Sequence, residues 1–255
     1  MDDNNFKSWG EENITWAGTA DTNFSHRRGM KPQAIVNHIT SGTASSAINW
    51  FTSSNNKNSS AHFLVDKKGK IYQFVKIEDN AWANGLTAGI KAASSELVNQ
   101  HGANINPNWY TVSIEHESFT KNNGKLTHEQ LEASINLHRY IILYVKNRWG
   151  VDISIDRKHI LGHYEIDIVN RAFCPGSLFP FDEIISALKN VKSGPNIIKT
   201  EKEINYLHNL GILNTPEYWI KNAVKGNRVE GEFAAILIQR TAELLRQINK
   251  LTGGM

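Results

Sequence analysis

The 255-residue chain has a single cysteine, Cys174. It can form no intramolecular disulfide, so its stability is built without that cross-link. A dominant charge is missing too: 28 basic against 25 acidic side chains leave a net charge of +3. That is too slight for a nucleic-acid binder, in which basic residues crowd one face. Long hydrophobic runs are absent. The longest near the C-terminal end, residues 233–238, has six residues, against the roughly 20 that a bilayer-spanning helix needs, so no membrane insertion is expected. The first ten residues are polar and acidic, without the basic start and apolar stretch of a Sec-type signal peptide. Internal repeats and low-complexity tails are missing as well. What remains is ordinary globular chemistry, 40 % hydrophobic and 21 % charged, long enough for one large domain or a main domain with an appendage.

Residues 1–30 are polar with scattered aromatics (Phe6, Trp9, Trp16, Phe24) and read as an irregular arm on a core. The first clear strand is 34–38, closed by the turn-like Thr40-Ser41-Gly42-Thr43. A short helix over 44–51 follows, with Ala47, Ile48 and Phe51 at helical spacing. Two apolar runs, 62–65 and 71–75, flank Asp66-Lys67-Lys68-Gly69 and predict a β-hairpin. The stretch 79–108 reads as loops and one helix. Residues 111–117 alternate as a half-buried strand, with Val112, Ile114 and His116 on one side and Ser113, Glu115 and Glu117 on the other. Thr127-x-x-Gln130 has the form of a capping box opening a long helix. Leu131, Ile135, Ile142 and Val145 mark its stripe, and it ends near Trp149-Gly150. A further helix over 181–191 turns Ile184, Ile185 and Leu188 inward.

Ser193-Gly194-Pro195 is the expected boundary, dividing a domain at 1–192 from a helical one at 196–255. The second part reads as three helices. The first begins at Thr200, turns Ile204, Leu207 and Leu210 inward and stops at Gly211; the second begins at Pro216; the third spans 233–251, with Ile236, Leu237, Leu244 and Ile248 apolar. So small a bundle has little core of its own.

Among the ten histidines, His26, His101, His128 and His208 lie in polar surroundings. His138 sits on a helix stripe, and His116 shares its strand face with Val112 and Ile114, so both read as packing residues. His38 and His163 differ, since each ends an apolar stretch where strand ends line clefts. Cys174, in Phe173-Cys174-Pro175-Gly176, places the thiol beside a turn. Two imidazoles and a thiolate suit a catalytic zinc, which takes three protein ligands and keeps one position open. Spacing alone does not assemble them.

The order of short motifs carries more. Val36-Asn37-His38-Ile39-Thr40, Ser60-Ala61-His62-Phe63-Leu64-Val65, Gly69-Lys70-Ile71-Tyr72-Gln73-Phe74-Val75, Ala81-Trp82, Ser113-Ile114-Glu115 and Gly162-His163-Tyr164-Glu165 with Cys174-Pro175-Gly176 follow one another. Over roughly residues 20–190 the chain resembles the zinc-dependent N-acetylmuramoyl-L-alanine amidases, which include T7-type phage lysozymes, autolysins and peptidoglycan recognition proteins. The resemblance implies an α/β fold, a mixed central β-sheet flanked by helices, here followed by the small all-α C-terminal domain. It implies Zn2+ on His38, His163 and Cys174. The substrate would be peptidoglycan, cut by a zinc-activated water between N-acetylmuramic acid and L-alanine. Glu115 matches the family's catalytic glutamate, although Glu117 shares its side of the strand. Ala172 stands where many members carry the oxyanion-stabilising Lys or Thr. Arg171 can take that role, or can pair with Asp167 at the surface. Glu165 and Asp167 are alternative oxygen ligands, disfavoured because the Cys-Pro-Gly context matches the family. His62 is expected to line the cleft, Trp82 to wall it or to join the core, and His159 to orient or support.

Two other readings share these residues: a peptidoglycan-binding module without activity, and a cytosolic amidase recycling wall fragments. The full ligand set and the glutamate favour an enzyme, and the C-terminal helices favour action on the intact wall. Such an enzyme, made in the cytoplasm, would reach the wall by phage- or prophage-type release or by non-classical export. The C-terminal helices are expected to bind wall or to form a homodimer.

Overall fold

The computed structural model describes residues 6–190, 204–222 and 229–251. The elements of the larger unit run α1 (Phe6–Asn13), β1 (Ile14–Trp16), β2 (Phe24–His26), β3 (Ala34–Ile39), α2 (Ala44–Phe51), β4 (Phe63–Val65), β5 (Ile71–Gln73), β6 (Asp79–Ala81), α3 (Glu96–His101), β7 (Thr111–His116), α4 (His128–Trp149), β8 (Ile160–Gly162) and α5 (Phe181–Lys189). Six strands form one mixed sheet in the order β1-β5-β4-β7-β3-β8, and β2 pairs antiparallel with β6 in a separate ribbon. The β4–β5 pair is the expected antiparallel hairpin, whereas β4, β7, β3 and β8 run parallel.

The parallel core decides which side chains meet. β7 lies between β4 and β3 and is buried along both faces except at Glu115; parallel strands are buried in this way by what packs above and below the sheet. Ile35, Phe63, Val65, Val112 and Ile114 face α4, where Leu137, Ile141 and Val145 meet them. Each such fully buried aliphatic contributes about 1.5–3 kcal/mol. The opposite face carries two further apolar clusters. One gathers α2, Leu64, Phe74 and Ala81 on the β4 side; the other gathers Ala34, Val36, Tyr110, Leu161 and Ile166 on the β8 side. Between them the sheet is left open, and the cleft lies there.

Several local expectations change. The N-terminal arm is not irregular: it forms α1 and two three-residue strands, and β6 lies within the stretch read as loops. Strands so short show no period of their own and exist only by pairing. On α4 the most buried face reads Gln130, Ser134, Leu137, His138, Ile141 and Val145. Leu131, Ile135 and Ile142 instead pack toward α5 and Phe179. Polar residues reach that inner face because the sheet offers them partners. Gln130 Nε2 donates to Val65 O at 2.9 Å and to Glu117 O at 3.2 Å. That leaves only half of the capping box: Thr127 Oγ1 accepts from Gln130 N.

The chain separates into two compact units, 1–190 and 191–255. Ser193-Gly194-Pro195 and the start at Thr200 lie outside the described residues. In the second unit residues 204–209 are helical, followed by α6 (Pro216–Asn222) and α7 (Gly231–Leu251). Ile204, Leu213 and Trp219 form its core, with Leu207, Phe233 and Leu237 against them. Leu210, expected inward, is exposed, as is Ile236. Among the described residues no helix is long and apolar enough to cross a membrane.

Candidate active site

The floor of the cleft comes from register. His38 on β3 stands beside Glu115 on β7 as a direct parallel neighbour, so both side chains rise from the same face of the sheet. His163 opens a 3₁₀ turn immediately after β8, the strand on the other side of β3. The chain returns along 166–174 to bring Cys174 back: Tyr164 N donates to Cys174 O at 2.9 Å, and Cys174 N donates to Arg171 O at 3.0 Å. Gly176 (φ +114°) locks this return, because a Cβ there would lie 2.3 Å from the Asn123 carbonyl carbon. The Cys-Pro-Gly turn therefore seats directly on the 123–124 backbone.

The ligand atoms of His38, His163 and Cys174 all lie within 4.8 Å of one another. The two imidazole centroids are 4.2 Å apart at 62°. Around a tetrahedral zinc, ligand atoms lie about 3.3–3.6 Å apart, so the set needs only a small contraction. Burial, and then the positive charges of their neighbours, hold His38 well below its usual pKa and His163 down to about 3. Both rings are thus neutral, the form that binds metal. The Cys174 thiol is pushed up to about 12, first by burial and then by the Glu115 carboxyl. Only a cation at this point would hold it as a thiolate. The donor set fits zinc.

One residue of this centre went unread in the sequence. His38 Nε2 donates to Asn84 Oδ1 at 2.8 Å, leaving Nδ1 as the free nitrogen. Asn84 is itself fixed, donating from Nδ2 to Thr111 Oγ1 at 2.8 Å and from its backbone N–H to Asn108 Oδ1 at 2.6 Å. This is how outer residues set the tautomer of a ligating histidine. An asparagine in an Ala-Asn-Gly loop carries no periodic or motif signal that would have revealed it.

Glu115 is half-buried, and its enclosed Oε2 has no hydrogen-bond partner. Burial lifts its pKa to about 8, against the opposing pull of Arg171. Glu117 is excluded from the cleft, since its Oε2 accepts from Lys67 N at 3.0 Å and shapes the hairpin turn. Arg171 lines the cleft, and its charge is felt by His38, His163, Glu115 and Cys174. It does not pair with Asp167, whose carboxylate is taken up by Thr87 Oγ1, Ala88 N, Val169 N and Asn170. Burial opposes ionisation of Asp167, yet these donors hold it down to about 2. Glu165 accepts from Gly162 N and pairs with Arg157. Neither acid reaches the ligand triad.

Trp82 lines the cleft. His62 does not. Its ring is buried behind the wall, with Nε2 2.9 Å from an Arg27 guanidinium nitrogen and Nδ1 accepting from Ser113 N at 3.0 Å. Arg27, buried and donating to the carbonyls of Ile77, Asn108, Trp109 and Thr111, turns His62 into a structural residue. His159 binds Asp156 at 2.7 Å, away from the cleft.

The family profile described as N-acetylmuramoyl-L-alanine amidase matches residues 28–177, more than half of the chain. The chain belongs to the N-acetylmuramoyl-L-alanine amidase family. Its activity is accordingly that of an N-acetylmuramoyl-L-alanine amidase, a peptidoglycan hydrolase. N-acetylmuramoyl-L-alanine amidase A of Achromobacter lyticus is 23 % identical over 191 residues, spanning 71 % of this chain and 96 % of the relative. Among solved structures, the endolysin amidase LysCS of Clostridium intestinale is 19 % identical with a TM-score of 0.44, covering 69 % of this chain and 95 % of its own. A selenomethionine derivative of AmpD is 17 % identical with a TM-score of 0.49, covering 69 % and 98 %.

Proposed function

We propose that this amidase is a zinc enzyme that cuts the amide between N-acetylmuramic acid and L-alanine in the bacterial wall, and that its action lyses the wall. The observation that carries the reading is the convergence of two neutral imidazoles and one thiol beside a carboxyl with an enclosed, unpartnered oxygen. His38, His163 and Cys174 would hold the zinc, which would supply Lewis acidity, lowering the pKa of water to about 7 and polarising a carbonyl. Glu115 moves the proton: its carboxylate, whose ionised form the Arg171 cation favours, can accept one from water and return it to the leaving amine of L-alanine. Arg171 reaches the same space and offers a cation to the oxyanion that forms on the amide carbonyl. Asn84 holds the His38 ring in its ligating tautomer, and Trp82 supports the substrate.

For the second unit we propose a role in holding the enzyme to the wall or to a second copy. Supporting this, α7 exposes Ile238 and Leu245 on one face, away from its own small core. Delivery would follow phage-type release or non-classical export. The deciding experiment is digestion of purified muropeptides with mass analysis, with and without a zinc chelator. New free L-alanine amino groups that vanish with the chelator are expected. New reducing sugar ends without them would refute the reading.

A further inference from the structure

The two walls of the cleft differ in chemistry. The wall on the β8 side carries Val169, Arg171 and Phe173, so it is cationic and apolar. The wall on the β4 side carries Asn58, Ser59, Ser60 and Trp82, with hydroxyls, an amide and an indole but no charge. Just beyond Ser59 stands Trp50, 47 % exposed. Core packing does not explain Trp50, because α2 faces its cluster with Ala44, Ala47, Ile48 and Phe51.

Both indoles are pinned. Trp50 Nε1 donates to Ser59 Oγ at 2.9 Å, and Trp82 Nε1 donates to Ser25 Oγ at 3.1 Å. Ser59 Oγ in turn donates to Oδ1 of the buried Asn56, which also accepts from Ser59 N. Asn56 Nδ2 donates to Trp50 O at 3.1 Å and to Ser59 O at 2.8 Å. One buried amide therefore ties the outer indole to the cleft wall. Fixed rings lose little freedom on binding. An aromatic face with its negative quadrupole suits the C–H face of a pyranose, while the neighbouring hydroxyls and amide suit sugar hydroxyls and an N-acetyl group.

We propose that Trp50, Asn58 and Ser59, continuing outward from Trp82, form a saccharide subsite for the N-acetylhexosamine next to the reacting muramyl residue. The proposal rests on the amidase reading and deepens it. The glycan strand leaves over the β4-side wall, and the stem peptide, with its carboxylates, lies along Arg171, Val169 and Phe173. The enzyme then prefers glycan-linked stems over those on a single sugar.

Two measurements on the full-length zinc-loaded chain test this. The first compares kcat/KM for a tetrasaccharide bearing stem peptides with that for a single muramyl peptide. Trp50→Ala should lower this ratio about 2- to 13-fold, the equivalent of about 0.5–1.5 kcal/mol of aromatic contact, and Trp50→Phe should restore most of it. A ratio unchanged by Trp50→Ala overturns the proposal. The second follows the indole N–H resonances of Trp50 and Trp82 during titration with tetra-N-acetylchitotetraose, which contains no amide to the stem peptide. Saturable shifts at both are expected, and an unmoved Trp50 resonance overturns the subsite. If neither peptide substrate is cut, the amidase reading fails, and the titration still decides the subsite.

Discussion

Four of the five buried histidines among the described residues form two pairs that composition cannot tell apart. His38 and His163 face each other in the cleft; His116 and His138 lie on the opposite face of the sheet, between β7 and α4. Burial pushes the pKa of all four down. The difference lies in their nitrogens. His116 spends both, donating from Nδ1 to His38 O at 3.0 Å and accepting at Nε2 from Ser134 Oγ at 2.9 Å. His138 donates from Nδ1 to Ser134 O at 2.7 Å, and its Nε2 is enclosed among core atoms. His38 spends one nitrogen on Asn84 and keeps the other for the cleft, where His163 and Cys174 converge on it. A depressed pKa marks burial in both pairs; a free nitrogen facing a thiol marks the candidate ligand.

The largest effect should come from the group that completes the cleft pair. Glu115→Gln should lower kcat about 10²- to 10⁴-fold while zinc content stays near one per chain; full activity would sink the proton-transfer role. Asn84→Ala should weaken zinc affinity about 10- to 100-fold by freeing the His38 tautomer, read by competition with a chromophoric chelator. Unchanged affinity would mean that the ring is oriented without it. Arg171→Ala should cost about 10- to 100-fold in kcat, less than an enclosed oxyanion donor, because Arg171 is exposed. A change confined to KM would move it from the oxyanion to substrate binding.

The interior pair should show itself in stability and its pH dependence. Unfolded, His116 and His138 take up protons near 6.5; folded, they resist until about 3 and about 4. The unfolded chain thus binds more protons below pH 6.5, so their contribution is fully present above that value and is lost as pH falls toward 4 and below. The urea midpoint of chelator-treated protein should fall between pH 7.5 and 5. In a His138→Gln protein that decline should be shallower, and an equal slope would show that His138 plays no part in it.

How much of this was legible depended on the range over which each feature is encoded. β3, the β4–β5 hairpin, β7, α4 and α5 announce themselves through apolar runs, alternation or a cap within a few residues. β1, β2 and β6 do not, since three residues become a strand only beside a partner far along the chain. At the site, His38, Glu115, His163 and Cys174 stood out through the order of short motifs, and the register of β3 on β7 explains why two of them meet. Asn84 gave no signal, because its role exists only across 46 residues of separation. His62 was misplaced for the converse reason. It starts a strand as a cleft residue does, but Arg27, remote in sequence, claims its ring.

The central claim is that His38, His163 and Cys174 hold zinc whereas the interior pair does not. The most direct measurement is elemental analysis of purified protein for bound zinc, beside a Cys174→Ser variant and His138→Gln. About one zinc per chain is expected in the unaltered protein and in His138→Gln, and almost none in Cys174→Ser. Full zinc in Cys174→Ser, or its loss in a folded His138→Gln, would contradict the claim.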